Sequence, residues 1–301
     1  MEKIVIIGGL TASGKTALAV KLAKKYNGEL INADSRQIYK YLDIGTNKDG
    51  IITTEQGSFI DKVPIHLVSF LEPNQRYSVY DFKSDAIKHI EDILSRKKLP
   101  IIVGGTGLYI DSIIKNYKLE TTSSSAPRAE LESKSLPELQ QIANQDYPES
   151  YLALNKSDQS NKRRLIRLIE RQGINNISKE QSQYEYLFLY PKYTWKELLV
   201  KIETRVEGMF KEGLVAETKR VLNLGFSKNS VALQGIGYKQ VIEYLEGNFN
   251  SQKCIDLVKI AHRQYAKRQR TWFEGKSRNY DLNIIGNFED AVRAVDKFLI
   301  I

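Results

Sequence analysis

Four consecutive bulky apolar residues, Ile4-Val5-Ile6-Ile7, run straight into Gly8-Gly9-Leu10-Thr11-Ala12-Ser13-Gly14-Lys15-Thr16. An apolar run this short, closed by glycine, reads as a strand buried on both faces, which in a parallel sheet means helices above and below. The residues after it carry the complete G-x-x-x-x-G-K-[ST] spacing, with Gly9, Gly14, Lys15 and Thr16 in the fixed positions. A strand, a glycine-permitted turn and a helix in that order aim several backbone N–H groups into one concavity. The loop Gly9, Leu10, Thr11, Ala12, Ser13, Gly14 then presents amides to an oligophosphate, Lys15 adds an ammonium, and the Thr16 hydroxyl can hold Mg2+. The loop alone leaves open which bond to the phosphate breaks.

The first third continues as alternating strands and helices. Leu18, Ala19, Leu22 and Ala23 give helical spacing over Thr16–Tyr26, stopped by Asn27-Gly28. Glu29–Ala33 and Pro64–Phe70 read as strands, Tyr77–Leu94 as an amphipathic helix, and Leu99–Val103 as a strand closed by Gly104-Gly105. This order predicts an α/β fold: a P-loop NTPase-like core whose parallel sheet is covered by helices. Thr121–Pro127 is a Ser/Thr-rich linker, and a charged helical stretch follows to about Gln183. Tyr184–Tyr190 returns as a strand, with helical segments at Trp195–Glu212, Leu214–Leu224, Val231–Gly247 and Gln252–Phe273. The predicted organisation is a core of residues 1–117 and 184–301, with C-terminal helices, and a helical insertion domain at 118–183.

A net charge of +9 on 301 residues favours a polyanionic partner. Its distribution is informative. Arg163, Arg167 and Arg171 fall on one helix face beside Lys162 and Arg164, with Glu170 alone interrupting 162–171. A second basic helix carries Arg263, Lys267 and Arg270 near Tyr265 and Trp272, with no acid from 257 to 273. Single-sign stripes suit a phosphate backbone. The single cysteine, Cys254, excludes an intrachain disulfide and a Cys-based zinc site. No apolar stretch approaches a membrane span and no signal-peptide flanks are present, so the expectation is a cytoplasmic monomer.

Strand C-termini face the ligand crevice in an open parallel sheet, which places Asp34, in Asp34-Ser35-Arg36-Gln37, beside the glycine-rich loop. An aspartate there can take a proton from a nucleophile, share in Mg2+ binding through water, or simply cap the next segment. Residues 39–48 read as an irregular polar loop. Gly104-Gly105-Thr106-Gly107 is a second glycine-rich turn on the same edge, with Thr106 placed to bond a phosphate or a substrate amine. The strand before it lacks the terminal Asp that ATP hydrolysis uses. Arg205 can reach a diphosphate site or pair with Glu203 or Glu207, and His66 reads as structural.

Six segments together carry a resemblance: GLTASGKT at 9–16, DSRQ at 34–37, DIGT at 43–46, VGGTGLY at 103–109, QGIGYKQ at 234–240 and KRQRTW at 267–272. In order and spacing, along essentially the whole chain, they resemble the bacterial tRNA dimethylallyltransferase family. The resemblance implies transfer of a dimethylallyl group from dimethylallyl diphosphate to N6 of adenosine 37, 3′ to the tRNA anticodon, with release of diphosphate. It implies that loop 9–16 binds the diphosphate with Mg2+, and that Asp34 is the general base. Thr106 contacts the reacting nucleotide or leaving group, and Arg205 the diphosphate. Asp34, Ser35, Arg36, Gln37, Thr106, Arg128, Arg163, Arg164, Arg167, Gln234, Gly235, Gly237, Tyr238 and Lys239 correspond to tRNA-contacting stretches, with the anticodon stem-loop as partner. Leu10 stands where the family commonly has proline, a change expected to matter little. Two other classes compete: a P-loop kinase with Asp34 orienting a small acceptor, and a nucleotide-switched RNA-binding regulator. The missing strand-end Asp and the family-wide motifs weigh against both.

Overall fold

Ile4, Val5, Ile6 and Ile7 are fully buried in the first strand, β1 (Lys3–Gly8), which lies inside the sheet with neighbours on both sides. The structure is a computed structural model that describes residues 1–118, 128–173, 181–275 and 280–300. These residues fall into two units, Met1–Ile114 with Ser182–Ile301, and Lys115–Gln181.

In the larger unit β1 is followed by α1 (Lys15–Lys25), β2 (Gly28–Asn32), β3 (Ile51–Thr54), β4 (Gly57–Ile60), β5 (Val63–His66), α2 (Val79–Ser95), β6 (Leu99–Gly104) and α3 (Gly107–Ile114). Ser78 starts α2 with a capping box, its hydroxyl accepting from Asp81 N while the Asp81 carboxylate accepts from Ser78 N. The smaller unit holds α4 (Arg128–Ser133), α5 (Leu136–Asp146), α6 (Pro148–Leu152), α7 (Lys156–Gln159) and α8 (Lys162–Glu170). They pack around Leu131, Leu139, Ala143, Leu165, Ile166, Leu168 and Ile169. The larger unit resumes with β7 (Glu185–Pro191), α9 (Trp195–Glu212), α10 (Leu214–Asn223), α11 (Tyr238–Leu245), α12 (Ser251–Glu274), β8 (Asn283–Ile285) and α13 (Phe288–Ile300).

The sheet order is β3-β4-β5-β2-β6-β1-β7-β8, with β5 to β8 parallel and the β3–β4 hairpin antiparallel at one edge. The expected parallel core is present, and the hairpin extends it into a mixed sheet. Its two connecting residues, Glu55 and Gln56, carry no Asn-Gly signal, which hides it in the sequence. The strand expected over 64–70 stops at His66, because Leu67 and Ser69 take left-handed backbone (φ 59° and 52°) that no strand accommodates. The unit Lys115–Gln181 starts three residues before, and ends two before, the insertion bounds read from composition. The linker 121–127 lies outside the described residues. The apolar core of the sheet joins Val5, Ile7, Leu30, Ile101 and Leu189 to Ala19 and Leu22 of α1 and to Ala291 and Val295 of α13. Among the described residues no helix is long and apolar enough to cross a membrane.

Glu29, 2% exposed near the start of β2, anchors the end of the sheet away from these loops. Its carboxylate accepts from Arg96 Nη1 and Nη2, from Lys98 Nζ (2.7 Å) and from His66 Nε2 (2.8 Å). Those bonds, Arg96's first, hold its carboxyl well below the usual range despite the opposing cost of burial. A carboxyl depressed in the folded state stabilises above its unfolded pKa, about 4.3, and that contribution is lost as pH falls. Unfolding midpoints in urea should therefore drop on acidification below about pH 4.3 in wild-type protein, and less steeply in Glu29→Gln; parallel slopes would show that this cluster contributes nothing to acid lability.

Candidate active site at the sheet edge

Register brings three loops to one edge. Gly8 of β1 pairs with Gly104 of β6, and Asn32 of β2 pairs with Val103, so loops 9–14, 33–37 and 104–107 leave the sheet side by side. Gly104 allows the closest contact. A Cβ there would stand 2.2 Å from the Ala33 carbonyl oxygen, whereas the bare backbone lets Ala33 N reach Val103 O (2.8 Å) and Thr106 N reach Ala33 O (3.1 Å).

The loops line one cavity of about 650 Å³ with Lys15, Thr16, Asp34–Gln37, Arg205, Gly235 and Tyr265 among its walls. Gly14 (φ 85°) is left-handed at the N-terminus of α1, a turn that glycine alone takes without cost. Ala12 (φ 63°) shares that region, at a cost of about 1–2 kcal/mol that the surrounding contacts offset. Those contacts are visible. Leu10 is fully buried against Leu198 and Ile202 of α9 and Ala266 of α12, so it faces the core and anchors the loop. Lys15 Nζ donates to Leu10 O at 3.2 Å. Burial pushes the Lys15 ammonium down to about 8, opposed by Asp34, while Arg205 adds a smaller push in the same direction. Arg205 Nη1 donates to Thr11 Oγ1 (3.1 Å), and its guanidinium is likewise lowered by burial and raised by Asp34.

Asp34 Oδ1 accepts from Arg36 N at 2.9 Å, and no ion pair engages the carboxylate among the described residues. A carboxylate thus shares a cavity with two cations yet is not neutralised by direct contact. Its neighbours are committed elsewhere: Arg36 Nη1 donates to Val231 O (3.0 Å), and Gln37 Nε2 to Thr46 O and Asn47 O (3.1 and 3.0 Å). Thr106 Oγ1 accepts from Ser35 N (3.0 Å) and lies 3.3 Å from Ser35 Oγ. Thr106 therefore ties loop 104–107 to loop 33–37. Thr16 and Asp34 both line the cavity beside the loop and carry oxygen ligands. Among the described residues no three His, Cys, Asp or Glu side chains cluster as a metal cage. This donor set fits Mg2+, which keeps waters and substrate phosphates and takes only one or two protein ligands.

Gln234 is exposed, Gly235 lies under the Arg36 side chain, Gly237 (φ 92°) precedes α11, and Lys239 is exposed 3.9 Å from Glu243. Tyr238 is 1% exposed, and its hydroxyl donates to Glu217 Oε1 (2.6 Å). Glu217 also accepts from the backbone N–H groups of Asp43, Ile44 and Gly45 at 2.8, 2.9 and 3.1 Å. Tyr238 is thereby a brace for loop 39–48 and offers no hydroxyl to the cavity. On α8, Arg163, Arg164 and Arg167 are exposed; Arg164 pairs with Asp158, and Arg128 pairs with Glu132 and Glu170. The α12 stripe is not single-signed in space. Arg263 pairs with Glu203 and Lys259 with Glu207, both acids standing on α9, while Arg270 pairs with Glu274. This also decides Arg205: its two sequence neighbours are taken, and it turns to Thr11 instead.

A family model described as IPP transferase matches residues 37–277, four-fifths of the chain. The chain belongs to the IPP transferase family. Members similar to it include the tRNA dimethylallyltransferase of Endomicrobium trichonymphae, 39% identical over 91% of this chain and 92% of its own. That of Carboxydothermus hydrogenoformans is 42% identical over 90% and 89%. Among solved structures, the tRNA isopentenylpyrophosphate transferase of Bacillus halodurans aligns at 34% identity with a TM-score of 0.72, covering 100% of this chain and 96% of its own. A eukaryotic dimethylallyltransferase acting on tRNA aligns at 26% identity with a TM-score of 0.78, covering 100% and 78%.

In this IPP transferase-family chain the motif KRQRTW contains Arg268 and Gln269 without giving either a role, and no motif covers His262 or Tyr265. His262, Tyr265 and Gln269 of α12 and Arg268 beside them line the cavity, and Gln269 is 4% exposed. The signal is present but quiet: 262, 265, 266, 269 and 273 recur at helical spacing, and three of these five are polar on a buried stripe. Glu217 has no motif around it. Lys15 yields a prediction. An anion in the cavity favours the charged lysine, so affinity for inorganic diphosphate should weaken as pH rises through about 8. Calorimetric titration between pH 7 and 9 checks this, and an affinity that does not change would place the anion away from Lys15.

Proposed function

We propose that the chain transfers a dimethylallyl group from dimethylallyl diphosphate to N6 of adenosine 37, 3′ to the tRNA anticodon, and releases diphosphate. The observation that carries this reading is the unpaired Asp34 carboxylate lining one cavity with the Lys15 ammonium and the Arg205 guanidinium. An exocyclic adenine amine is a weak nucleophile because its lone pair is delocalised into the ring. Its proton becomes acidic as the new C–N bond forms, and Asp34 accepts it. The C–O bond to the diphosphate breaks in the same displacement. Lys15, the loop amides other than those of Thr11 and Ser13, and Arg205 stabilise the charge that gathers on the leaving group. Mg2+, held by Thr16 and by Asp34 through water, would neutralise part of that charge.

The target base must leave the anticodon-loop stack to reach the cavity, which costs a few kcal/mol. Contacts to the RNA backbone offset that cost. Arg163 and Arg167 are exposed on α8 and make no ion pair among the described residues, which leaves them available to phosphates. Ser35, Arg36, Gln37, Gln234, Gly235, Ile236 and Tyr238 border the cavity that would receive the base.

Incubation with labelled dimethylallyl diphosphate, Mg2+ and unmodified tRNA should place label on tRNA. Consumption of ATP by a small acceptor, with none on tRNA, would sink the proposal in favour of a kinase. Asp34→Asn should lower turnover at saturating substrates by about 100- to 10,000-fold while tRNA affinity stays within a few fold; normal turnover with lost tRNA affinity would remove Asp34 as the base. Replacing Arg163 and Arg167 together by Ala should weaken tRNA binding and reduce its salt-dependence slope by about one unit per lost phosphate contact. A slope equal to wild type would mean these arginines face solvent only.

A further inference from the structure

Gln269 is almost completely buried, yet its side chain bonds nothing on its own helix that would explain a polar residue there. Its Oε1 accepts from Thr11 N at 2.8 Å, and its Nε2 donates to Gly105 O at 2.9 Å. The two partners belong to the two glycine-rich loops of the site, 258 and 164 residues away in sequence. The amide can sit only one way round, since reversal would set N–H against N–H and oxygen against carbonyl. Gly105 has no side chain where this amide passes: a Cβ there would stand 2.2 Å from Gln269 Nε2. Thr11 in turn accepts from Arg205. A continuous chain therefore runs from α12 through Gln269 and Thr11 to Arg205 on α9.

We infer that, for the prenyl transfer proposed above, Gln269 is a positioning residue: its amide sets the spacing of loop 9–14 against loop 104–107 and turns Thr11 toward Arg205. Thr11 N–H is thereby held on the protein, leaving Thr11 Oγ1 in place for the guanidinium that meets the diphosphate. A buried apolar side chain at 269 would strand one donor and one acceptor and let the loops drift apart. A displacement of one ångström at such a site is enough to cost about 100-fold in rate.

The test uses the full-length protein with dimethylallyl diphosphate and unmodified tRNA. Gln269→Leu should lower kcat/KM for the diphosphate substrate by about 10- to 100-fold, with an unchanged far-UV circular dichroism spectrum. Gln269→Glu provides a readout that a purely structural role would not move. Protonated, the introduced carboxyl still donates to Gly105 O; ionised, it keeps the Thr11 bond but opposes the carbonyl. Burial raises its pKa into the assay range. Asp34, Asp49, Lys15, Arg36, Arg205 and Arg268 line the same cavity, and His262 with them. Both proteins contain all of these, so the activity ratio of variant to wild type isolates the new carboxyl. That ratio should fall about 3-fold or more from pH 6 to pH 8. A ratio constant with pH, or wild-type kcat/KM in the folded Leu variant, would overturn the role of Gln269. Failure of wild-type protein to transfer the prenyl group at all would instead overturn the reaction.

Discussion

The contact on which the site depends is backbone on backbone. The end of β6 presses against the end of β2 so closely that Gly104 cannot be exchanged for any residue with a side chain without moving Ala33. From that contact the positions of Asp34 and Thr106 follow, because each leaves its strand one or two residues later. The pairing of Gly8 with Gly104 then brings in the loop that carries Lys15. Three segments far apart in sequence share an edge because their strands are parallel and in register, which is the general reason that such sheets bind ligands at their C-terminal ends.

Electrostatics divides this edge into groups that are neutralised and groups that are not. Lys259, Arg263 and Arg270 all have carboxylate partners. Among the described residues Asp34 has none, and Lys15 and Arg205 donate to neutral oxygens, Leu10 O and Thr11 Oγ1. Charges kept apart in a desolvated cavity are costly, and the cost appears as the lowered proton affinity of both cations. An anion bound in the cavity would relieve it. The same separation leaves the Asp34 carboxylate without a cation bonded to it among the described residues.

Much of this was legible before any coordinates. Ile4–Ile7, Leu99–Val103 and Tyr184–Tyr190 announce buried strands by apolar run and closing turn, and the helix expected over Trp195–Glu212 matches α9 in both bounds. The hairpin Ile51–Ile60 was hidden because its exposed residues, such as Ile52 at 67%, break the pattern of burial. Phe288–Ile300 had a readable apolar period through Phe288, Ala291, Val295 and Phe298, with Asn287 as its cap, but no motif drew the eye to it. Charge was misjudged along α12 for a simple reason. A helix reports its own acids, whereas Glu203 and Glu207 arrive from α9, more than fifty residues earlier.

Glu217 closes a second set of backbone N–H groups, those of Asp43, Ile44 and Gly45, from within the protein. Such an array is a natural trap for a phosphate oxygen. Here the trap is already filled by a tethered tenant, with Tyr238 bolting it in place. A free anion in the cavity would have to displace Glu217 before it could use this array.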